Sequence, residues 1–400
     1  MLDAKTIEVI KSTVPVLEVH GQTITKQFYQ MMFKNHPELL NVFNHANQRQ
    51  GKQPAALANA VYAAAAHIDR LEEILPVVKN IAQKHRALGI LPEHYPIVGE
   101  NLLAAIKTVL GDAATDEIID AWAQAYGVIA DVFISVEAEM YQEAEQQKGG
   151  WRGFRRFVVE RKVKESDVIT SFYLKPEDGG EIASYLPGQY ITVRVKPEGQ
   201  EFTHLRHYSL STSAGHPYYR ISVKQEDAIG DNPAGVVSTY LHEQIQEGDT
   251  VEISAPAGDF TLDQSKQIPV VLLSGGVGLT PMVSMLETLV EGDSNRDVVY
   301  IHAARCGSHH AMKEHIDQLT REHAGRLRSY HVYESPAAGE SCDKTGFIDL
   351  PWLKTVADPK ADFYFCGPVP FMRAVNQALK EWGVPQERIH FEFFGPADSL

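Results

Sequence analysis

The sequence has few cysteines, no long apolar run and no excess of positive charge. Its three cysteines, Cys306, Cys342 and Cys366, are far apart and form no CxxC pair, which argues against a disulfide framework or a zinc site. No stretch approaches the roughly 18 consecutive apolar residues of a membrane span. The net charge of -15 offers no electrostatic surface for nucleic acid or an anionic membrane.

The first 20 residues also lack the features of a signal peptide. They contain Asp3, Glu8 and Glu18 among the apolar residues, with no basic start followed by an uninterrupted apolar stretch. We therefore expect a cytoplasmic protein. Its 44% hydrophobic and 22% charged residues are typical of a soluble globular chain, and 400 residues are too many for one core, so we expect two or three domains.

Three different patterns of apolar residues follow one another along the chain. In residues 1–147 apolar residues recur every three or four positions, as in Ile24-Phe28-Met32, which predicts an all-α domain. Residues 151–263 contain short β-rich runs separated by turns, which predict an antiparallel barrel. In residues 266–400 apolar strands alternate with helical stretches, which predicts a parallel α/β sheet.

A glycine-rich run follows the apolar strand at 270–273. It reads Ser274-Gly275-Gly276-Val277-Gly278-Leu279-Thr280-Pro281. Glycines let a backbone approach a pyrophosphate, whose charge then faces the N–H groups at the start of the following helix. We expect that helix to begin at about Pro281, since proline suits a first helical turn. The spacing is not GxGxxG, so this is not the common dinucleotide fingerprint, and a purely structural turn is the alternative.

Two further patterns lie in the barrel segment. The run Arg206-His207-Tyr208-Ser209 offers a guanidinium that can hold a flavin phosphate with two hydrogen bonds, a tyrosine ring and a hydroxyl. The run Gly235-Val236-Val237-Ser238-Thr239 precedes an apparent helix at 240–242 and predicts a second helix start that binds phosphate. With the late run Cys366-Gly367-Pro368, these motifs occur in the order found in the ferredoxin-reductase superfamily, which the chain resembles.

The helical region contains polar residues suited to a haem. Gln53 and Leu57 are four residues apart and share a helix face, while Tyr29 belongs to the helix before. A carboxylate–tyrosine pair such as Glu137 and Tyr95 could accept the free N–H of a histidine and make its imidazole a stronger donor to iron. Each residue alone has an ordinary alternative, a surface tyrosine or a solvated glutamate.

Joined to the reductase half, these residues resemble a flavohaemoglobin over essentially the whole chain. The resemblance implies haem b with His85 as the axial iron ligand, FAD on the barrel and NAD(P)H on the α/β domain. It places Tyr29, Gln53 and Leu57 on the gas-binding side and Phe43 on the haem face. It assigns Tyr95 and Glu137 to the proximal hydrogen-bond relay. Lys84 and Glu392 would tune the redox balance at the haem–flavin junction, or else form a surface ion pair.

The resemblance also implies two sets of cofactor contacts. FAD would be bound by Tyr190, Arg206, His207, Tyr208, Ser209, Gly235, Val237, Ser238, Phe393, Phe394, Gly395 and Pro396. His207 stands where relatives often carry glutamine. NAD(P)H would be bound by Gly275, Gly276, Val277, Gly278, Leu279, Thr280, Pro281, Cys366, Gly367 and Pro368. The choice between NADH and NADPH stays open, with Arg305 as a candidate for the ribose 2′ contact.

The activity implied by this resemblance is nitric oxide dioxygenation, in which two NO, two O2 and one NAD(P)H give two nitrate. Nicotinamide delivers two electrons together whereas iron takes one at a time, so a flavin is needed between them. The alternatives are an O2 carrier or sensor, and an NAD(P)H-dependent reductase of external acceptors with a regulatory globin. We expect NO, O2 and NAD(P)H as partners of a monomer, with no nucleic acid, membrane or obligatory protein partner.

Overall fold

The N-terminal part of the protein is built from helices. The computed structural model describes residues 2–43, 48, 50–230, 233–292 and 294–394. The first helix begins where the Asp3 carboxylate accepts the Thr6 N–H at 2.8 Å, an N-terminal cap. The helices of this part are α1 (Ala4–Ser12), α2 (Val14–Asn35), α3 (Lys52–Ala66), α4 (Leu75–Leu88), α5 (His94–Leu110) and α6 (Asp116–Gln146).

The apolar spacing seen in the sequence forms the core of this helical part. Ile24, Phe28 and Met32 lie on one face of α2 and are buried, where they join Trp122 of α6. Helix α2 ends at Asn35, just before the short 3-10 helix Pro37–Asn41, because proline cannot continue a helix from within. The all-α prediction is confirmed.

Helix α6 is long and apolar, with a mean hydropathy of 1.2 over an 18-residue window. By length and composition alone it could cross a membrane, but a core helix passes the same test. Three helices, α1, α4 and α5, pack against it, and it carries the buried Glu137. Its apolar side chains therefore contribute to the core of the helical part.

The middle of the chain forms a six-stranded sheet in the order β4-β3-β6-β1-β2-β5. A further bridge joins Leu210, just after β4, to Ile221 of β5. The two edges of the sheet therefore meet, and the predicted antiparallel barrel is confirmed. Its elements are β1 (Phe154–Lys164), β2 (Ile169–Pro176), β3 (Tyr190–Val195), β4 (His204–Ser209), β5 (Tyr219–Lys224), helix α7 (Val236–Glu243) and β6 (Thr250–Ser254).

The rest of the chain forms a parallel sheet in the order β10-β9-β8-β7-β11-β12. The chain winds from β7 towards β8 on one side and later adds β11 on the other, so the β7–β11 boundary is a topological switch point. The elements are β7 (Val270–Gly275), α8 (Leu279–Glu291), β8 (Val298–Ala304), α9 (Lys313–Glu322), β9 (Leu327–Tyr333), β10 (Lys344–Thr345), α10 (Leu350–Val356), β11 (Asp362–Cys366), α11 (Val369–Glu381) and β12 (Ile389–Phe391).

The chain divides into two compact units. The first contains residues 1–147 with 151–154 and 194–206, and the second contains 148–150, 155–193 and 207–400. Within the second unit, Ile169 of the barrel belongs to the same buried cluster as Met282 and Leu286 of α8. The barrel part and the parallel sheet of this unit therefore share a continuous hydrophobic core.

Candidate functional site

His85 lies on α4 and is held by a carboxylate. Its Nδ1–H donates to Glu137 Oε1 at 2.7 Å, since an ionised carboxylate can only accept. The Tyr95 hydroxyl donates to the same oxygen at 2.6 Å and lies 3.2 Å from His85 Nδ1. Burial, followed by the charge of Glu137, raises the pKa of Tyr95, so its hydroxyl stays protonated. The structure thus brings together the three residues predicted for the proximal relay.

The geometry of this relay fits a haem iron. Nε2 of His85 has no partner among the described residues, and the side chain is 32% exposed. An imidazole that donates from one nitrogen to a carboxylate is oriented and made more basic, which suits metal ligation through the other nitrogen. The ring of Phe133 lies 5.8 Å from the His85 ring and adds an apolar wall. His85 Nε2 is therefore the atom that would hold the iron.

Tyr29 lies on α2 in a buried, aromatic environment. Its ring centre is 5.7 Å from that of Phe43 and 5.8 Å from that of Phe33. Burial raises the pKa of Tyr29, and hydrogen bonding with the side chains of Gln53 and Gln48 opposes that rise. The hydroxyl therefore stays protonated and can donate a hydrogen bond.

The structure brings the predicted distal residues together and adds two. Gln53 is the second residue of α3, and Leu57 packs on the same core as Tyr29. Phe33 and Gln48 were not among the predicted residues. Phe33 is four residues after Tyr29 and so shares its helix face, a signal that was available in the sequence. Gln48 lies near a stretch of sequence without periodicity, where no such signal exists.

The two residues predicted to tune the redox balance belong to different compact units. Lys84 precedes His85 on α4 and is half-buried. Glu392 follows β12. Burial raises the pKa of the Cys366 thiol, and the charge of Glu392 raises it further. Their role at a haem–flavin junction stays a prediction.

The predicted flavin residues lie on neighbouring strands of the barrel. Tyr190 begins β3, and the run 206–209 forms the end of β4. The Tyr190 and His207 rings are 4.7 Å apart, and Thr192 Oγ1 lies 2.8 Å from His207 Nδ1. His207 is therefore held in place by β3. Phe393 packs 5.8 Å from Phe391 and Phe394 is 49% exposed, whereas Gly395 and Pro396 lie outside the described residues.

A helix also follows Gly235, and it begins earlier than expected. Helix α7 starts at Val236 rather than at residue 240, so Val237 and Ser238 lie in its first turn. The hydroxyl of Thr239 is buried and has no hydrogen-bond partner among the described residues. An unsatisfied buried donor at a helix N-terminus fits a phosphate oxygen. Thr239 is thus a candidate phosphate contact that the predicted set lacked.

The glycine-rich run lies at the switch point of the parallel sheet. Gly275 ends β7, residues 276–278 form one 3-10 turn, and α8 begins at Leu279, two residues before the expected Pro281. A Cβ on Gly278 would lie 2.2 Å from the carbonyl oxygen of Cys366, and Gly276 has a φ of +53°. The backbones after β7 and β11 therefore touch. The predicted nicotinamide motifs, including Gly367 and Pro368, form one cradle where α/β sheets bind dinucleotides.

Replacing Gly278 with alanine should disrupt this cradle. The new methyl group would overlap backbone that cannot move aside, which we expect to cost about 1–3 kcal/mol of stability and to raise the KM for NADH sharply. Thermal unfolding and steady-state kinetics would measure both. Gly127→Ala on α6 is the matched control, because apart from its neighbours and the nearby backbone of its own helix no described atom lies within 4 Å of the added Cβ. Wild-type KM in Gly278→Ala would show that this backbone contact is not needed for nucleotide binding.

Three regions of the chain match models of known domain families. Residues 26–133 match the family model Globin, 156–262 the Oxidoreductase FAD-binding domain and 272–377 the Oxidoreductase NAD-binding domain. The chain is thus a globin joined to a flavin- and nicotinamide-binding oxidoreductase. The prediction of haem, FAD and NAD(P)H as cofactors is confirmed by these domains.

The full-length relatives identify the family. A flavohemoprotein of Bacillus thuringiensis subsp. konkukian is 58% identical over 405 residues, covering 100% of both chains. The chain belongs to the flavohemoprotein family. Its fold is also similar to a flavohemoglobin of Malassezia yamatoensis solved with bound FAD and heme, with TM-score 0.84, 26% identity, and 98% of this chain and 100% of that one covered. The FAD/NAD-binding domain of a nitric oxide dioxygenase from Vibrio cholerae matches 60% of this chain and 99% of its own, with 41% identity and TM-score 0.56.

Proposed function

We propose that this protein is an NAD(P)H-dependent nitric oxide dioxygenase that removes NO as nitrate. The balanced reaction is 2 NO + 2 O2 + NAD(P)H → 2 NO3⁻ + NAD(P)⁺ + H⁺. When bound, the haem supplies the site for O2, and FAD converts the two-electron donor into single electrons. The similarity of the reductase half to the Vibrio cholerae nitric oxide dioxygenase domain supports the proposal.

The observation that carries the proposal is the 2.7 Å hydrogen bond from His85 to Glu137. A buried carboxylate on the proximal imidazole increases electron donation through Nε2, which favours activation of O2 over its simple storage. Tyr95 donates to the same carboxylate oxygen and holds it in the plane where it can accept from Nδ1. The O2-carrier alternative explains the globin part of the chain but gives the reductase part no role in turnover.

On the distal side, Tyr29 provides a protonated hydroxyl next to the rings of Phe33 and Phe43. Burial keeps Tyr29 neutral, so it can donate to a ligand that gains negative charge, and such charge-assisted hydrogen bonds are strong. Phe43 and Leu57 pack on the same core as Tyr29. The side chains of Gln53 and Gln48 lower the pKa of Tyr29 and so act against the effect of burial.

The decisive experiment is the ratio of nitrate formed to NADH consumed when NO is added to the haem- and FAD-loaded protein in air. We expect two nitrate per NADH, with consumption that stops when NO is exhausted. Slow O2 release with no NO-dependent NADH consumption would instead indicate an O2 carrier or sensor. Rapid NADH-dependent reduction of ferric chelates without nitrate would indicate a general reductase with a regulatory globin.

A further inference from the structure

A buried carboxylate in the second unit links elements that carry different cofactor motifs. Glu287 lies in the middle of α8 and is 2% exposed. Its Oε1 accepts from Arg220 Nη2 at 3.0 Å and from His315 Nε2 at 2.8 Å. Its Oε2 accepts from the Thr212 hydroxyl at 2.6 Å and from the Ser213 N–H at 2.8 Å. Both carboxylate oxygens are therefore fully used.

The partners of Glu287 come from the barrel as well as from the parallel sheet. Thr212 and Ser213 follow the predicted flavin run on β4 by three and four residues, and Arg220 lies on β5. Helix α8 begins directly after the glycine-rich turn. A second bond, from Ser284 Oγ to the Thr212 carbonyl at 2.7 Å, repeats the link one helical turn earlier. The end of the flavin strand is thus tied to the helix of the nicotinamide site.

Stability alone does not account for this arrangement. Arg220 is 7% exposed, and a buried ion pair commonly contributes no more to stability than apolar residues of similar size. Burial would raise the pKa of Glu287, but hydrogen bonding with His315 and the charge of Arg220 lower it to about 2, so the carboxylate is ionised at neutral pH. What the network supplies is one defined geometry, since four directed donors must all be satisfied at once.

We propose that Glu287 is a positioning residue for hydride transfer, holding α8 and the flavin strand at the separation that lets the nicotinamide and flavin rings meet. In that transfer the C4–H bond of the dihydronicotinamide breaks and its electron pair goes with the hydrogen to N5 of the flavin. The nicotinamide is oxidised and the flavin reduced, with no further reactant. The inference rests on the FAD and NAD(P)H sites of the proposed function but not on its NO chemistry.

The test compares Glu287→Gln with Asp362→Asn. Asp362 is also buried, at 0% exposure, and accepts from Lys266 Nζ at 3.1 Å and Arg296 Nη2 at 3.3 Å. It is the first residue of β11, and so lies at the opposite end of the parallel strands from the glycine-rich turn. Both variants lose a buried charge, so both should lose thermal stability. Only Glu287→Gln should slow flavin reduction by saturating NADH, by about tenfold or more, since small misplacements of reacting groups have such effects.

Flavin reduction is followed by anaerobic stopped flow without NO, so a failure here is distinct from a failure to form nitrate. We also expect Glu287→Gln to weaken the long-wavelength absorbance of the stacked nicotinamide–flavin pair, and Glu287→Asp to restore part of the rate. In cofactor-free protein, the Ser213 amide should exchange its hydrogen faster in Glu287→Gln than in Asp362→Asn.

Equal slowing in both variants, or a wild-type reduction rate in Glu287→Gln, would overturn the proposal. Should Glu287→Gln fail to fold, Thr212→Val decides the question, because it keeps the side-chain volume and removes only one donor to Glu287. It should slow flavin reduction in the same direction by a smaller factor. An unchanged rate in a folded Thr212→Val protein that shows the faster Ser213 exchange would likewise overturn it.

Discussion

Replacing His85 with alanine should give a protein that contains FAD but retains almost no haem. His85 is the residue whose Nδ1 is held by Glu137 at 2.7 Å while Nε2 has no partner among the described residues, so its loss removes the only axial bond we assign to the iron. The ratio of Soret to protein absorbance after reconstitution measures the effect. NADH should still bleach the flavin of this variant, because the proposed FAD and NAD(P)H sites are built from other residues.

His20→Ala is the control for this experiment, since His20 is an exposed histidine on α2 of the same helical part. It should keep a full Soret band. A full Soret band in His85→Ala would assign the iron to a different side chain and remove the basis for the proximal relay.

Replacing Tyr29 with phenylalanine should leave haem and FAD in place and abolish most NO-dependent turnover. The ring contacts with Phe33 and Phe43, at 5.8 and 5.7 Å, remain, and only the hydroxyl is lost. A hydrogen bond to a charged group contributes about 1.5–3 kcal/mol, which corresponds to a factor of roughly 10–150. We expect O2 to leave the reduced protein faster by such a factor, as measured by stopped flow.

The matched control is Tyr62→Phe on α3, a tyrosine that is 37% exposed and should change neither rate. If O2 dissociation in Tyr29→Phe equalled that of the wild type, Tyr29 would have no part in holding the ligand, and the distal assignment would be wrong.

The features predicted well from the sequence are those set by a few neighbouring residues. The apolar spacing of Ile24, Phe28 and Met32 correctly predicted the helical core, and the alternation of apolar strands with helical stretches correctly predicted the parallel sheet. The glycine-rich turn was recognisable because glycine suits the φ of +53° at Gly276 and the backbone that lies 2.2 Å from the Cβ position of Gly278. Such constraints are local, so they restrict which residue types can occur at these positions.

Other features depend on contacts between residues that are distant in the sequence, and these contacts produce no recognisable sequence pattern. In strand β9 only the first residue and the last two are buried. The sequence therefore shows no continuous apolar run that would mark this strand. Helix α7 starts four residues before its predicted position, which places Thr239 inside it. Glu287 looks like any glutamate of an amphipathic helix, and only the fold shows that Arg220 and Thr212 surround it.

The composition of the first compact unit limits how the protein can be cut into working parts. Thr203, which comes from the barrel segment, donates its N–H to Asn41 Oδ1 and its hydroxyl to the Asn41 carbonyl, both at 2.8 Å. A fragment ending at residue 147 would leave both acceptors of Asn41 without these donors. Asn41 is only two residues before Phe43. A fragment that keeps these two hydrogen bonds and the whole of the first unit would therefore have to extend at least to residue 206.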